Sequence, residues 1–275
     1  MPESPILVVG ATGRIGGVLR RCWPDGAGRW QTRRAEAGPG WVQVDPLGDP
    51  GGLARAASGC GAVLCLAGAV PGRGGDMALT TPLALAALRA GAGAPVLVAS
   101  SAAVYGAAAG PLHEGMELAS LSDYGRAKAE MEQAVQEEGA RLGVAVTSLR
   151  IGNIAGLDAI LGGWREGFTL DRFADGRTPR RSYVGPGALA ALLLALARHT
   201  GLPPVLNLAL PGAVEMGALL DAAGLPWTPR PAGAGAIPEV ELDTALLGSL
   251  LPLDAGPARP EELVADWRET LCGDD

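Results

Sequence analysis

Ile6-Leu7-Val8-Val9-Gly10-Ala11-Thr12-Gly13-Arg14-Ile15-Gly16 decides how this chain is read. Its first four residues form an unbroken apolar run, the pattern of a strand buried on both faces. The run ends in three glycines spaced GxxGxxG, and a helical pattern follows over Ile15–Cys22. A strand that turns through glycines into a helix brings free backbone N–H groups, and the positive end of the helix dipole, against a pyrophosphate. Gly10, Gly13, Arg14, Ile15 and Gly16 are therefore candidate cofactor contacts.

Outward from this loop, short β-like runs alternate with helical segments. Strands are expected at Ile6–Val9, Arg29–Thr32, Val42–Val44, Ala62–Leu66, Val96–Ser100 and Ala145–Leu149. Helices are expected at Ile15–Cys22, Gly51–Ala57, Met77–Ala90 and Asp123–Leu142. This alternation predicts an α/β fold with a doubly wound parallel sheet, the Rossmann arrangement. After about residue 155 the pattern loosens, although Gly187–Arg198 still reads as a helix and Val205–Leu208 as a strand. The expected division is a nucleotide-binding domain over 1–155 and about 186–210. A second, smaller C-terminal substrate domain covers about 156–185 and 211–275. Pro226–Pro238 is turn-rich and expected to be extended.

Composition excludes several classes. The chain has 275 residues, and 48% of them are hydrophobic, which a disordered chain would not be. Its formal charge of −7 offers no basic surface for nucleic acid. Two histidines, His113 and His199, and four cysteines without CxxC spacing make no zinc pattern, so no metal is expected. Reduced thiols suit a cytoplasmic protein. The N-terminus carries Glu3 and too short an apolar run for a signal peptide. The longest apolar stretch, Ala188–Ala197, is about half a membrane span.

The segment Ser122-Asp123-Tyr124-Gly125-Arg126-Ala127-Lys128 places Tyr124 and Lys128 at i, i+4, on one helix face. An ammonium beside a phenol is expected to lower its pKa and suit it to proton transfer near neutral pH. Of the 22 basic residues only Lys128 is a lysine, and a compact ammonium is what a guanidinium cannot replace there. Upstream, Val96–Ser100 ends in Ser100-Ser101, at the end of a parallel strand where such sheets bind ligands. Either hydroxyl could hydrogen-bond a reacting oxygen.

With GATGRIG, VASSAAVYG, YGRAK and LRIGNIAG in this order, the chain resembles the extended short-chain dehydrogenase/reductase family, the NAD(P)-dependent epimerases, dehydratases and reductases. Weaker likenesses are RFADGRTPRRSYV and VLNLALPG, and together the stretches cover about residues 5–212. The resemblance implies Ser101, rather than Ser100, as the catalytic serine, with Tyr124 as acid/base and Lys128 also on the nicotinamide ribose. It implies Asp45 at the adenine, Ala67 and Gly68 along the cofactor, and Ile151 and Ile154 beside the nicotinamide. Asn153 resembles the residue that reaches the substrate phosphate in nucleotide-sugar enzymes. There are departures. Met77 stands where the family has an asparagine, and Gly185-Pro186 follow RSYV where the family runs into an aspartate. The chain is also shorter than most sugar-nucleotide epimerases, which argues against a bulky nucleotide sugar.

The second strand ends in Arg33-Arg34, which suit a ribose 2′-phosphate, and Arg14 is a further candidate. The expected cofactor is NADP, with NAD the alternative, Glu36 filling the acidic role. The expected activity is hydride transfer at a sugar or sugar-like hydroxyl or carbonyl, by an epimerase, dehydrogenase or reductase. A dehydrogenase of free sugar acids and a non-catalytic NAD(P)-sensing regulator are the alternatives. A substrate pocket is expected among Ser101, Ala102, Tyr124, Asn153 and Trp164. The expected partners are a small sugar derivative and, for a homodimer, a second copy of the chain.

Overall fold

The structure is a computed structural model that describes residues 4–36, 38–70, 75–91, 93–108, 110–251 and 256–273. Glu3, read above against a leader peptide, lies outside them. The main sheet has seven strands: β1 (Ile6–Val9), β2 (Gly28–Thr32), β3 (Trp41–Gln43), β4 (Ala62–Cys65), β5 (Val96–Ser101), β6 (Val146–Ile151) and β7 (Val205–Leu208). Their order across the sheet is 7-6-5-4-1-2-3. Strand β1 pairs in parallel with both β2 and β4, and β2–β3 and β4–β5 are also parallel. The chain direction across the sheet reverses between β1 and β4. Such a switch point opens a crevice at the carboxyl ends of the strands.

The helices are α1 (Arg14–Cys22), α2 (Pro50–Ala57), α3 (Thr80–Ala90), α4 (Asp123–Leu142) and α5 (Pro186–Arg198). Strands β1 and β4 are unbroken, fully buried apolar runs, the pattern of strands covered on both faces. Leu7 and Val9 of β1, Val63 and Cys65 of β4, and Val96 and Val98 of β5 share one core with Leu53 of α2, Ala84 and Leu88 of α3, and Met131 and Val135 of α4. Helix α4 begins where Ser122 accepts the Gly125 N–H, carries Asp123 in its first turn, and stops at Gly143 in the left-handed conformation. Sequence periodicity assigns Met77–Leu79 to α3; it is a separate 3-10 turn entered through Asp76, whose carboxylate accepts the Ala78 N–H.

By compactness the chain divides into two units, one of residues 1–104, 120–150 and 190–206, the other of 105–119, 151–189 and 207–275. The second has its own core, including Leu161, Leu170, Tyr183, Leu219, Leu220 and Leu263. It contains a four-stranded sheet with Arg180–Arg181 between Val214–Glu215 and Glu239–Leu242. Within the stretch expected to be extended, Thr228–Pro231 is a strand paired in parallel with Thr169–Arg172. Among the described residues no helix is long and apolar enough to cross a membrane.

Candidate active site

The glycine loop is tight for steric reasons that the coordinates make explicit. Gly10 has φ +85°, and a Cβ there would lie 2.7 Å from the Ala67 backbone nitrogen. A Cβ on Gly16 would lie 2.3 Å from the Ala11 carbonyl oxygen. The first glycine thus lets the β1–α1 turn touch the end of β4, and the last lets α1 press onto the strand. Helix α1 has no side-chain cap at Gly13 and no acidic residue in its first turn, so nothing negative competes with an anion there. Gln31 of β2 braces the loop: its Oε1 accepts the Gly10 N–H at 2.9 Å while its Nε2 donates to the Val44 carbonyl at 2.7 Å. Sequence reading passed over this buried glutamine.

From Ala67 the chain passes to Gly68, where a Cβ would stand 3.5 Å from Lys128 Nζ and 3.9 Å from Thr80 Oγ1. Lys128 is 5% exposed and donates to the Ala99 carbonyl of β5 at 2.6 Å. Its ammonium sits 5.9 Å from the centre of the Tyr124 ring, one helical turn away on α4. Ser101 at the tip of β5 lies close enough to Tyr124 to lower its phenol, and Ser101 Oγ accepts the Ala103 N–H at 3.2 Å. Gly125 allows this approach, since a Cβ there would fall 2.5 Å from the Ala103 carbonyl oxygen. Ala102 is half-buried in the 3-10 turn that follows β5. Ser100, the other hydroxyl, faces away: it is buried and donates to Glu132.

The electrostatics differ from the expectation for the pair. Burial pushes the Tyr124 phenol above its ordinary value, outweighing Ser101 and the Arg14 charge, which both lower it. Burial also lowers the Lys128 ammonium, against raising by Cys65 and Glu132. The lysine does not overcome desolvation because it is itself desolvated.

Arg33 and Arg34 are exposed just beyond β2, with the Arg34 N–H donating to Thr32 Oγ1 at 3.0 Å. Asp45 is exposed and accepts the Leu47 N–H at 3.1 Å, closing the turn after β3. Arg20 donates to the Ala11 carbonyl and stacks 5.0 Å over Trp41.

In the second unit, Ile151 is buried at the end of β6, and Asn153 and Ile154 pair with Tyr183 and Val184. The Tyr183 hydroxyl donates to Asp158 at 2.8 Å. Asp158 holds the turn that follows by accepting the Leu161 N–H at 3.0 Å, and burial pushes its carboxyl up. Trp164 packs against the second core and donates its ring N–H to the Pro226 carbonyl at 3.0 Å. Ser101 and Tyr124 thus belong to the first unit and Asn153 and Trp164 to the second.

Residues 6–162 match the model of the NAD dependent epimerase/dehydratase family. The chain belongs to this family. Its members are enzymes, and the chain is one of them. Among curated proteins none matches the chain. Among solved structures it is similar to a short-chain dehydrogenase/reductase superfamily protein from Agrobacterium tumefaciens with bound NAD. The two are 19% identical with a TM-score of 0.77, over 98% of this chain and 97% of that one. It is similar to the UDP-N-acetylglucosamine 4-epimerase of Methanobrevibacter ruminantium in complex with UDP-N-acetylmuramic acid, at 19% identity and a TM-score of 0.73, over 98% and 97% of the chains. A UDP-glucose 4-epimerase from Brucella ovis in complex with NAD is 19% identical with a TM-score of 0.77, over 95% and 96%.

The residues present fit a family dinucleotide. The cradle at Gly10 and Gly16 is one that a Cβ would fill, and the Thr80 hydroxyl near Lys128 is buried without a hydrogen-bond partner. Asp266, on the helix Pro260–Trp267, accepts the Gly187 N–H at 2.7 Å and the Ala188 N–H at 3.0 Å, capping α5 from elsewhere in the sequence. A Cβ on Gly185 would lie 2.0 Å from this carboxylate, so the glycine makes room for it.

Proposed function

We propose that the chain catalyses hydride transfer between a nicotinamide cofactor and a hydroxyl or carbonyl carbon of a nucleotide sugar or related sugar derivative. One observation carries the reading: Tyr124 and the buried Lys128 stand one helical turn apart on α4, the ammonium 5.9 Å from the centre of the phenol ring, in the same compact unit as Ser101 and the glycine loop. The bound nicotinamide supplies and stores the hydride. Tyr124 moves the proton of the reacting oxygen, as the acid for a carbonyl and the base for a hydroxyl. Ser101 donates or accepts at the same oxygen and fixes its direction. Lys128 contributes a nearby positive charge that favours the phenolate, and holds the nicotinamide ribose. Because burial raises the phenol, the free enzyme keeps Tyr124 protonated at neutral pH, ready as an acid.

In this reading Gly10, Gly13, Arg14, Ile15 and Gly16 cradle the pyrophosphate, Asp45 reaches the adenine, and Ala67, Gly68, Ile151 and Ile154 line the cofactor. Arg33 and Arg34, exposed and following β2, select the 2′-phosphate of NADP, with NAD the alternative that the relatives' bound NAD supports. The candidate substrate residues Asn153 and Trp164 belong to the second unit. The chain's length does not argue against a nucleotide sugar, since it covers 97% of an epimerase complexed with one. Turnover on a panel of nucleotide sugars and free sugar acids tests the proposal. Nicotinamide absorbance reports net oxidation or reduction, and product analysis reports epimerisation. Turnover confined to free sugar acids would replace the nucleotide-sugar reading, and no turnover on any of them would remove it.

A further inference from the structure

Two successive residues at the tip of β5 are each held by a different residue of α4, and the next stands beside a third. The Ala99 carbonyl accepts from Lys128 at 2.6 Å, the Ser100 hydroxyl donates to Glu132, and Ser101 is near enough to Tyr124 to lower its phenol. Tyr124, Lys128 and Glu132 are spaced i, i+4, i+8 on one helix face. Glu132 is fixed in turn from β6. Arg150 Nη2 donates to its Oε2 at 2.7 Å, and Arg150 Nε reaches both carboxylate oxygens at 3.1 Å. Ser100, Glu132 and Arg150 are each only 4% exposed. A carboxylate this deep, with its lone pairs taken by named partners, has one position it can occupy.

We propose that Glu132 is a positioning residue for the reaction: anchored by Arg150 and gripping Ser100, it sets the register of α4 on β5 in which Tyr124 meets Ser101 and Lys128 meets the Ala99 carbonyl. The inference rests on the acid/base reading of Tyr124, Ser101 and Lys128. Strand residues are about 3.3 Å apart, so a slide of a fraction of one residue breaks a hydrogen bond between helix and strand tip. Lys128 is faced by Cys65 from β4, by Tyr124 and Glu132 from its own helix and by the Ala99 carbonyl from β5, with Gly68 and Thr80 alongside. Burial lowers the Lys128 ammonium from its ordinary value, and Cys65 and Glu132 oppose this, so Glu132 supports the site electrostatically as well.

Ser100→Ala removes the grip and leaves every charge and the Glu132–Arg150 pair in place. The readout needs no ligand: the ultraviolet titration of tyrosinate, with the Tyr124 transition assigned by subtraction of Tyr124→Phe. The other two tyrosines, Tyr105 and Tyr183, are fully buried. A loosened register takes Ser101 away from Tyr124 and weakens its lowering of the phenol, so the Tyr124 transition moves to higher pH, by roughly fivefold in the ionisation constant. Glu132→Asp keeps the charge and shortens the reach by one methylene, and shifts the transition the same way. With a turned-over substrate, kcat falls and KM holds. Wild-type titration and kcat in Ser100→Ala, alongside a lowered Tm, would overturn the inference and leave Glu132 a structural residue. If Glu132→Asp does not fold, Ser100→Ala decides alone. Full turnover by Tyr124→Phe is a separate outcome that overturns the acid/base reading itself.

Discussion

Two neighbouring glycines at the start of α1 make opposite predictions. Gly16 and Gly17 share a helix, so propensity alone treats them alike: alanine in place of a helical glycine stabilises by about 0.8–1 kcal/mol. Their surroundings differ. At Gly17 the nearest atom to a new Cβ is the mobile end of Arg20, 4.0 Å away, an ordinary contact. At Gly16 three Ala11 backbone atoms lie at 2.3–2.7 Å. Backbone cannot swing aside, so α1 must lift from β1. Overpacking of this kind costs about 1–3 kcal/mol, which cancels the helical gain and exceeds it. For a chain of this size each kcal/mol is worth roughly 2–4 °C in Tm. Gly17→Ala is therefore expected to raise Tm by a few degrees, and Gly16→Ala to lower it. Gly10→Ala loses more, because φ +85° adds a left-handed penalty of about 1–2 kcal/mol to a contact at 2.7 Å. Thermal melts give the stabilities, and fluorescence titration with the reduced nicotinamide cofactor gives the affinities. Gly16→Ala and Gly10→Ala bind it more weakly, and Gly17→Ala binds as wild type. Equal Tm shifts for Gly16→Ala and Gly17→Ala would refute the close-approach argument.

Other consequences are as specific. Arg150→Met leaves Glu132 charged and unpaired in the core, a loss of about 3–5 kcal/mol, whereas the double change Glu132→Leu with Arg150→Met restores most of it; chemical denaturation of the three proteins checks this. Arg33→Asp shifts the ratio of NADP to NAD dissociation constants by roughly ten- to a hundredfold toward NAD, and an unmoved ratio would exclude Arg33 from the 2′-phosphate. Burial pushes the Cys65 thiol up to about 11 from 9.0, so the folded state holds this proton more tightly than the unfolded chain. That contribution is complete below pH 9 and disappears as pH rises toward 11. Cys65→Ala, melted across that interval, should lose less Tm with rising pH than wild type.

The first unit is legible in the sequence because its signals are local. Strands β1 and β4 are unbroken apolar runs, Ser122 caps α4, and the Tyr124–Lys128 spacing needs only one helical turn. The second unit is not, because Asn153–Ile154, Arg180–Arg181 and Tyr183–Val184 are two-residue strands, too short to show alternation. Thr228–Pro231 contains two prolines and reads only as extended chain; the structure pairs it as an edge strand that needs few ladder donors. Glu132 carried a signal in its i+4 relation to Lys128, but a charged helix residue ordinarily faces water. Only the strand order brings Arg150 to it. Asp266 at the start of α5 is the same case, a cap supplied from 79 residues away. The lowered phenol expected from Lys128 follows from charge alone. Burial reverses it, and burial is a tertiary property.

The central claim is that Tyr124 moves the proton in a nicotinamide-dependent reaction. Its most direct test is steady-state turnover of Tyr124→Phe against wild type on the substrate found by the panel, with the cofactor dissociation constant measured on the same two proteins. The phenyl ring keeps the packing and loses only the hydroxyl. The account predicts kcat lower by about 10²–10⁴ with cofactor affinity nearly unchanged. Wild-type kcat in Tyr124→Phe would contradict it.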